Sequence, residues 1–189
     1  MHVTSISILR GIALFLLLVG SSVSLPAHNA YAASAQEIDI GVEATLKRFR
    51  SEVTGGSEFL EKAQGVLVFP NVIKAGLVVG GEYGEGALLV GGKTVDYYST
   101  AGASIGLQLG AQSKAVVIVF LTSDALTEFR QSKGWKAGVD GSVAVIKWGV
   151  GEDINTVDVK DPIVGFVFGN KGLMYNLTIE GAKFTKISR

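Results

Sequence analysis

The chain has 189 residues, 17 Lys and Arg against 17 Asp and Glu, no cysteine, and two histidines, His2 and His28. A formal net charge of zero gives no global attraction to nucleic acid. With no Cys and no His beyond His28, the body of the chain lacks the groups for Ser-His-Asp or Cys-His catalysis, thiol redox chemistry, disulfides and the usual zinc sites.

The first 32 residues read as a targeting segment. Arg10 precedes the apolar run GIALFLLLVG at 11–20, a polar stretch with Pro26 follows, and Ala30-Tyr31-Ala32 supplies an A-x-A cleavage signal. The run is shorter than the ~20 residues of a membrane span. The expectation is a signal peptide over 1–32, cut after Ala32, with an uncleaved anchor as the alternative. Residues 33–189 then form one domain, periplasmic or secreted, long enough for a real core and undivided by linkers or repeats.

The domain opens with QEIDIGVEATLKRFRSEV at 36–53. Ile38, Val42, Thr45, Leu46, Phe49 and Val53 recur on one helical face. Thr54-Gly55-Gly56 ends this helix. Ser57 fits as the N-cap of a second, short helix over EFLEKAQ.

After Gly65 the texture becomes β. GVLVF is an apolar run stopped by Pro70-Asn71, and KAGLVVGG, GALLV, KTVDYYS, ASIGLQLG and AVVIVFL follow as strands. SDALTEFRQS at 123–132 is the one helix among them, capped by Ser123 or Asp124. Strands resume with GVDGSVAVIKW, IVGFVFG, GLMYNLTIEG and a piece near KFTKI.

The 25 glycines are about twice the ordinary share of ~7 %. Gly102, Gly106 and Gly110 share one strand face with Ser104 and Gln108, leaving that face nearly bare backbone. Such a face permits sharp bending or close approach of another layer. The predicted fold is α+β: a strongly curved, mostly antiparallel β-sheet or barrel, with the N-terminal helices and one further helix packed on it.

Several motifs invite chemical readings. Gly92-Lys93-Thr94 ends like a phosphate-binding loop, but G-x-x-x-x-G-K-[ST] needs glycine at position 87, which is Ala87. Ala87-Leu88-Leu89-Val90 suits a buried strand, so Gly91-Gly92 reads as a hairpin turn. Glu82 and Glu85 flank Tyr83-Gly84 in what reads as a turn; paired carboxylates serve acid/base chemistry, and solvated turn residues are the plainer reading. Asp153, Asn155, Asp158 and Asp161 lack the order of a calcium loop. Asn176-Leu177-Thr178 is a glycosylation sequon in form, set inside a predicted strand. No catalytic residue, metal site or cofactor is assigned.

The densest positive cluster is Lys47, Arg48 and Arg50, with Lys62 and Lys74 near in sequence. A basic amphipathic helix can lie on anionic lipid. Cations at a helix C-terminus also suit its dipole as a plain solvated face, and Glu37, Asp39 and Glu43 make the first half acidic.

The segments AQGVLVFPNVIKAGLVVGGEYGEGALLV at 63–90, VDYYSTAGASIGLQLGAQ at 95–112, FLTSDALTEFRQSKGWKAGVDGSVAV at 120–145 and GFVFGNKGLMYNLTIEGAKFTKI at 165–187 together resemble the SYLF domain family, in its secreted bacterial branch. The resemblance implies phospholipid binding rather than catalysis. In eukaryotic members, phosphoinositide binding is attributed to a basic amphipathic N-terminal helix and neighbouring lysines. Carried onto this chain, that implies Lys47, Arg48, Arg50, Lys62 and Lys74 as lipid-binding residues. The expected function is an exported, non-enzymatic protein whose partner is phospholipid or an anionic membrane surface. The alternative is an envelope structural or protein-interaction module without a lipid ligand.

Overall fold

A computed structural model describes residues 32–76, 79–105, 111–147, 161–171, 179 and 181–189. The expected signal segment, the acidic stretch at 153–158, the sequon at Asn176, and Gly106 and Gly110 lie outside them. Residues Ala33–Arg189 form one compact unit.

The amphipathic spacing at the start of this unit folds as helix α1, Ala35–Glu52. Ser34 caps it: its Oγ accepts the Glu37 N–H, and the Glu37 carboxylate accepts the Ser34 N–H at 2.7 Å, a capping box worth roughly 1 kcal/mol. Ile38, Val42, Thr45, Leu46 and Phe49 are buried, as the spacing predicts. Helix α2, Gly56–Lys62, follows. Its N-cap is Gly55, in the left-handed region at φ 73°, and Ser57 lies inside the helix instead of capping it.

Eight strands form one sheet in the order β5-β8-β3-β2-β1-β4-β7-β6. They are β1 Gly65–Gly76, β2 Val79–Val90, β3 Lys93–Ile105, β4 Ala111–Phe120, β5 Trp135–Lys136, β6 Ala144–Lys147, β7 Ile163–Lys171 and β8 Lys183–Ile187. All neighbours pair antiparallel except β6 and β7, which are parallel. With β4 returning beside β1, strands β1 to β4 have Greek-key order. Helix α3, Ser123–Gln131, lies between β4 and β5 in sequence. Its cap is Thr122, whose hydroxyl accepts the Ala125 N–H at 3.3 Å, one residue earlier than expected.

The sheet curls strongly into a half-barrel. Strands β1 and β8 are three places apart, ~14 Å in a flat sheet, yet the rings of Phe69 and Phe184 lie 5.5 Å apart. Inside the curl, Leu67, Phe69, Leu88, Tyr98, Ile118 and Phe120 pack with Phe129 and Leu126 of α3. Phe129 touches the rings of Tyr98, Phe120, Trp135 and Phe184, so it plugs the concave side. The outer face carries α1 and α2: Phe49 and Phe59 stack edge-on against Phe166 of β7, over Val66, Val68, Val117 and Val119.

Pro70 does not end a strand. Strand β1 runs through it with a bulge, seen as a register shift against both β2 and β4 near Phe69–Asn71. A bulge tolerates proline because its N–H has no ladder partner to lose. Beyond it, β1 continues to Gly76 and β2 begins at Val79, so the strand expected over 74–81 is divided between them. The two strands expected from KTVDYYS and ASIGLQLG are joined through Ile105 as β3. Gly91 and Gly92, at φ 58° and 75°, make the tight turn between β2 and β3. That pair of positive angles is the hairpin geometry the sequence predicts, and Lys93 opens a strand, not a phosphate loop.

Candidate functional site

Helix α1 presents two faces, and the sheet has already taken the apolar one. Asp39 secures it by accepting hydrogen bonds from Thr94 Oγ1 at 3.0 Å and Tyr97 Oη at 2.9 Å on β3. The stripe pointing outward is Ile40, Glu43, Lys47 and Arg50, all exposed. Lys47 and Arg50, one turn apart, are its cationic end, and Lys62 is exposed at the end of the neighbouring α2. None of these three makes an ion pair among the described residues. Arg48 is committed elsewhere. It forms a bidentate pair with Glu52, at 3.0 and 3.1 Å, and its guanidinium lies 5.6 Å from the centre of the Phe168 ring.

Lys74 is not part of this group. Strand β1 separates it from Lys62, and the bulge at Pro70 puts it on the concave face with Val72. There it stands in register with Glu82 on one side and Gln112 on the other. The structure thus gathers Lys47, Arg50 and Lys62 on the helical side of the sheet, with Arg48 at the flank, and leaves Lys74 on the opposite side.

The concave face holds a second polar feature. Lys114 of β4 reaches across β1 to Glu82 of β2, Nζ to Oε2 2.8 Å, with side chains 3 % and 12 % exposed. Gly102 of β3 makes room for that carboxylate: a Cβ there would meet Glu82 Cγ at 3.1 Å. The pair lines a narrow cleft with Val72, Thr100, Val116 and Phe184. A buried ion pair in an apolar cup gains little net stability, since desolvation offsets most of the attraction. Lys114 precedes the apolar run AVVIVFL and extends its strand. The signal for its burial was present: Lys114, Val116, Ile118 and Phe120 alternate on one face, which places a lysine in the core side of a strand.

Glu82 and Glu85 are not solvated turn residues. Both lie in β2, an odd number of positions apart, so they point to opposite faces and cannot share one substrate. Glu85 lies on the outer face, where its carboxylate accepts hydrogen bonds from Tyr83 Oη at 2.7 Å and from the Ala33 N–H at 3.2 Å, and pairs with Arg189. Past the start of α1 the same face is uncovered: Ile73, Val79 and Tyr83 are 48 %, 71 % and 53 % exposed, beside Ala101 and Ala103. Deeper in the core, burial and the charge of Asp96 push the Tyr98 phenol up to about 12. Among the described residues its hydroxyl has no hydrogen-bond partner.

What this arrangement offers is binding surface: a cationic helical stripe, an exposed apolar strip, and an ion-paired cleft. Among the described residues, no helix is long and apolar enough to cross a membrane. No curated protein matches the chain. One family model does, described as "Ysc84: Las17-binding protein actin regulator", over residues 101–188. The match runs from the middle of β3 to the end of β8. It takes in Lys114, α3 and most of the concave core; α1 and α2 precede it. Residues 101–188 therefore match the Ysc84, or SYLF-domain, family, a family of binding domains linked to lipid binding and actin regulation.

Proposed function

We propose that this is an exported, non-enzymatic lipid-binding protein that meets an anionic phospholipid surface at an envelope membrane. The observation that carries the reading is the outward stripe of α1, where Lys47 and Arg50 are exposed and make no ion pair among the described residues, on a helix whose apolar face is already buried, with Lys62 exposed at the end of α2. That geometry alters the mode of contact. An interfacial helix sinks its apolar face into lipid, whereas α1 has spent that face on the sheet. Attraction is therefore electrostatic, and the folded domain docks without unpacking. Each cation near an anionic surface contributes about 1 kcal/mol, decaying over a Debye length of about 8 Å at physiological salt. The A-x-A segment ending at Ala32 supports export.

Vesicle co-sedimentation tests this. Phosphatidylcholine vesicles with and without phosphatidylglycerol are compared at low and high salt, for the wild type and for Lys47→Gln/Arg50→Gln/Lys62→Gln. Arg48 is left in place because its loss also removes packing on Phe168. The expected result is binding that needs the anionic lipid, weakens with salt, and falls by up to about 3 kcal/mol in the variant. Equal binding by both proteins removes α1 and α2 as the contact.

The uncovered strip of Ile73, Val79 and Tyr83 favours a second reading, a protein-interaction module of the envelope. A single stoichiometric partner, retained by the wild type and lost by Ile73→Ser/Tyr83→Ser while vesicles are ignored, would establish that reading instead.

A further inference from the structure

Glu85 sits in β2 on the face that carries α1, and its side chain is 9 % exposed. It collects donors from separate stretches of chain. Tyr83 donates its hydroxyl to Oε1 at 2.7 Å. Arg189, two residues past β8, pairs with the same oxygen. The backbone nitrogen of Ala33 donates to Oε2 at 3.2 Å, across 52 residues of sequence.

Ala33 is also the first residue after Ala30-Tyr31-Ala32. A cleavage signal in the sequence and a contact in the fold therefore fall on one nitrogen. In the uncut chain that nitrogen is a neutral amide with a single N–H. Hydrolysis of the Ala32–Ala33 bond adds water, leaving a carboxylate on Ala32 and an α-ammonium on Ala33. The nitrogen then has a positive charge and three donors. A carboxylate that is nine-tenths buried and already at hydrogen-bond distance is the group such a cation requires.

We propose that Glu85 is a recognition site for the processed amino terminus: cleavage after Ala32 turns a neutral hydrogen bond into an ion pair between the Ala33 α-ammonium and Glu85. This rests on the export reading and adds a receiving residue and a consequence to it. Ala33 adjoins Ser34, the cap of α1, so the new charge pins the start of that helix to β2. The mature domain is more tightly closed than its precursor. A chain still carrying its leader is correspondingly easier to hold unfolded for transport.

The neighbouring charges decide how the ammonium titrates. Facing it are Glu85 and Tyr83 from β2 and Arg189 from beyond β8. Glu37, on the first turn of α1, is engaged by the Ser34 N–H and hydroxyl. Asp39 is held by Thr94 and Tyr97. Arg189 shares the carboxylate and opposes the ammonium, and among the described residues Glu85 is the acid bonded to it.

The experiment uses exported protein, beginning with N-terminal sequencing. The rate of α-amine acylation is then followed against pH for the wild type, for Glu85→Gln, and for a form that keeps Ala32 as an extra first residue. The expected wild-type amine titrates above the ordinary range of about 7.7–8.0, so near pH 8 it reacts about tenfold more slowly than in the other two. The extended form, which needs no substitution, also unfolds at a lower temperature. Amines that titrate alike in all three overturn the proposal while leaving export intact. A mature chain that begins elsewhere than Ala33 overturns the cleavage reading and the ion pair together.

Discussion

Replacing Lys114 by Met is expected to destabilise the domain far more than replacing Lys114 and Glu82 together. At 2.8 Å and an effective dielectric of about 20, the attraction between the two charges is about 6 kcal/mol. Removing two ions from water costs several kcal/mol each, so the intact pair contributes little net stability. Lys114→Met alone takes the ammonium from the Glu82 carboxylate beside Val72, Val116 and Phe184, a loss of about 3–5 kcal/mol. Lys74 stands in register with Glu82 and compensates part of the charge, which places the expected cost near 3 kcal/mol. For a chain of this size that lowers the melting temperature by about 6–12 °C. Lys114→Met/Glu82→Leu should return to within about 1 kcal/mol of the wild type. Urea unfolding followed by tryptophan fluorescence, analysed as a double-mutant cycle, measures all four states. A Lys114→Met protein as stable as the wild type, or a double variant no better than the single one, would refute the argument that desolvation offsets the attraction within this pair.

Tyr98→Phe removes a buried hydroxyl that has no partner among the described residues, so stability at neutral pH should change by less than about 1 kcal/mol, in either direction. The same substitution reports on pH. The folded state holds the Tyr98 phenol up to about 12, so it favours the protonated form; that stability is complete below about pH 10 and is lost as pH rises toward 12. Alkaline unfolding should therefore be less steep in Tyr98→Phe, and identical alkaline limbs would show that Tyr98 is not desolvated. Gly86→Ala should cost about 3 kcal/mol by chemical denaturation, because its Cβ would lie 2.0 Å from the Val68 carbonyl oxygen, where only backbone can yield. Lys93→Ala should change stability by no more than about 0.5 kcal/mol, with no thermal protection by nucleotide in either protein; protection of the wild type alone would restore the phosphate-loop reading.

Features set by local spacing were legible in the sequence. The burial of α1 follows from the recurrence of Ile38, Val42, Leu46 and Phe49, and the turn at Gly91-Gly92 from the positive φ that such a pair permits. The curved antiparallel sheet was legible through its short apolar runs and its glycines, of which Gly102 does admit a close neighbour in Glu82. Features set by distant contacts were not. Whether Glu82 meets Lys114, or Glu85 meets Ala33, depends on which strands become neighbours, and no local pattern states that. The helix starts were offset by one or two residues because Ser57 and Ser123 are good caps in isolation. The chain instead places Gly55 and Thr122 at the entries to α2 and α3. Lys74 seemed to belong with the other cations because sequence proximity was the only measure of distance at hand.

The bulge at Pro70 acts on β1 as a change of phase. Before it, odd-numbered Leu67 and Phe69 face the concave core; after it, even-numbered Val72 does. The strand is thus written in two reading frames, and the residue at the join carries the shift. Deleting Pro70 alone would bring both halves into one frame. Val72 and Lys74 would then keep the concave face and Ile73 the outer one, in regular alternation with Leu67 and Phe69, and only the bulge would be lost. Any alignment or redesign that treats residues 65–76 as one alternating pattern will therefore assign the outer half of the strand to the wrong side of the sheet.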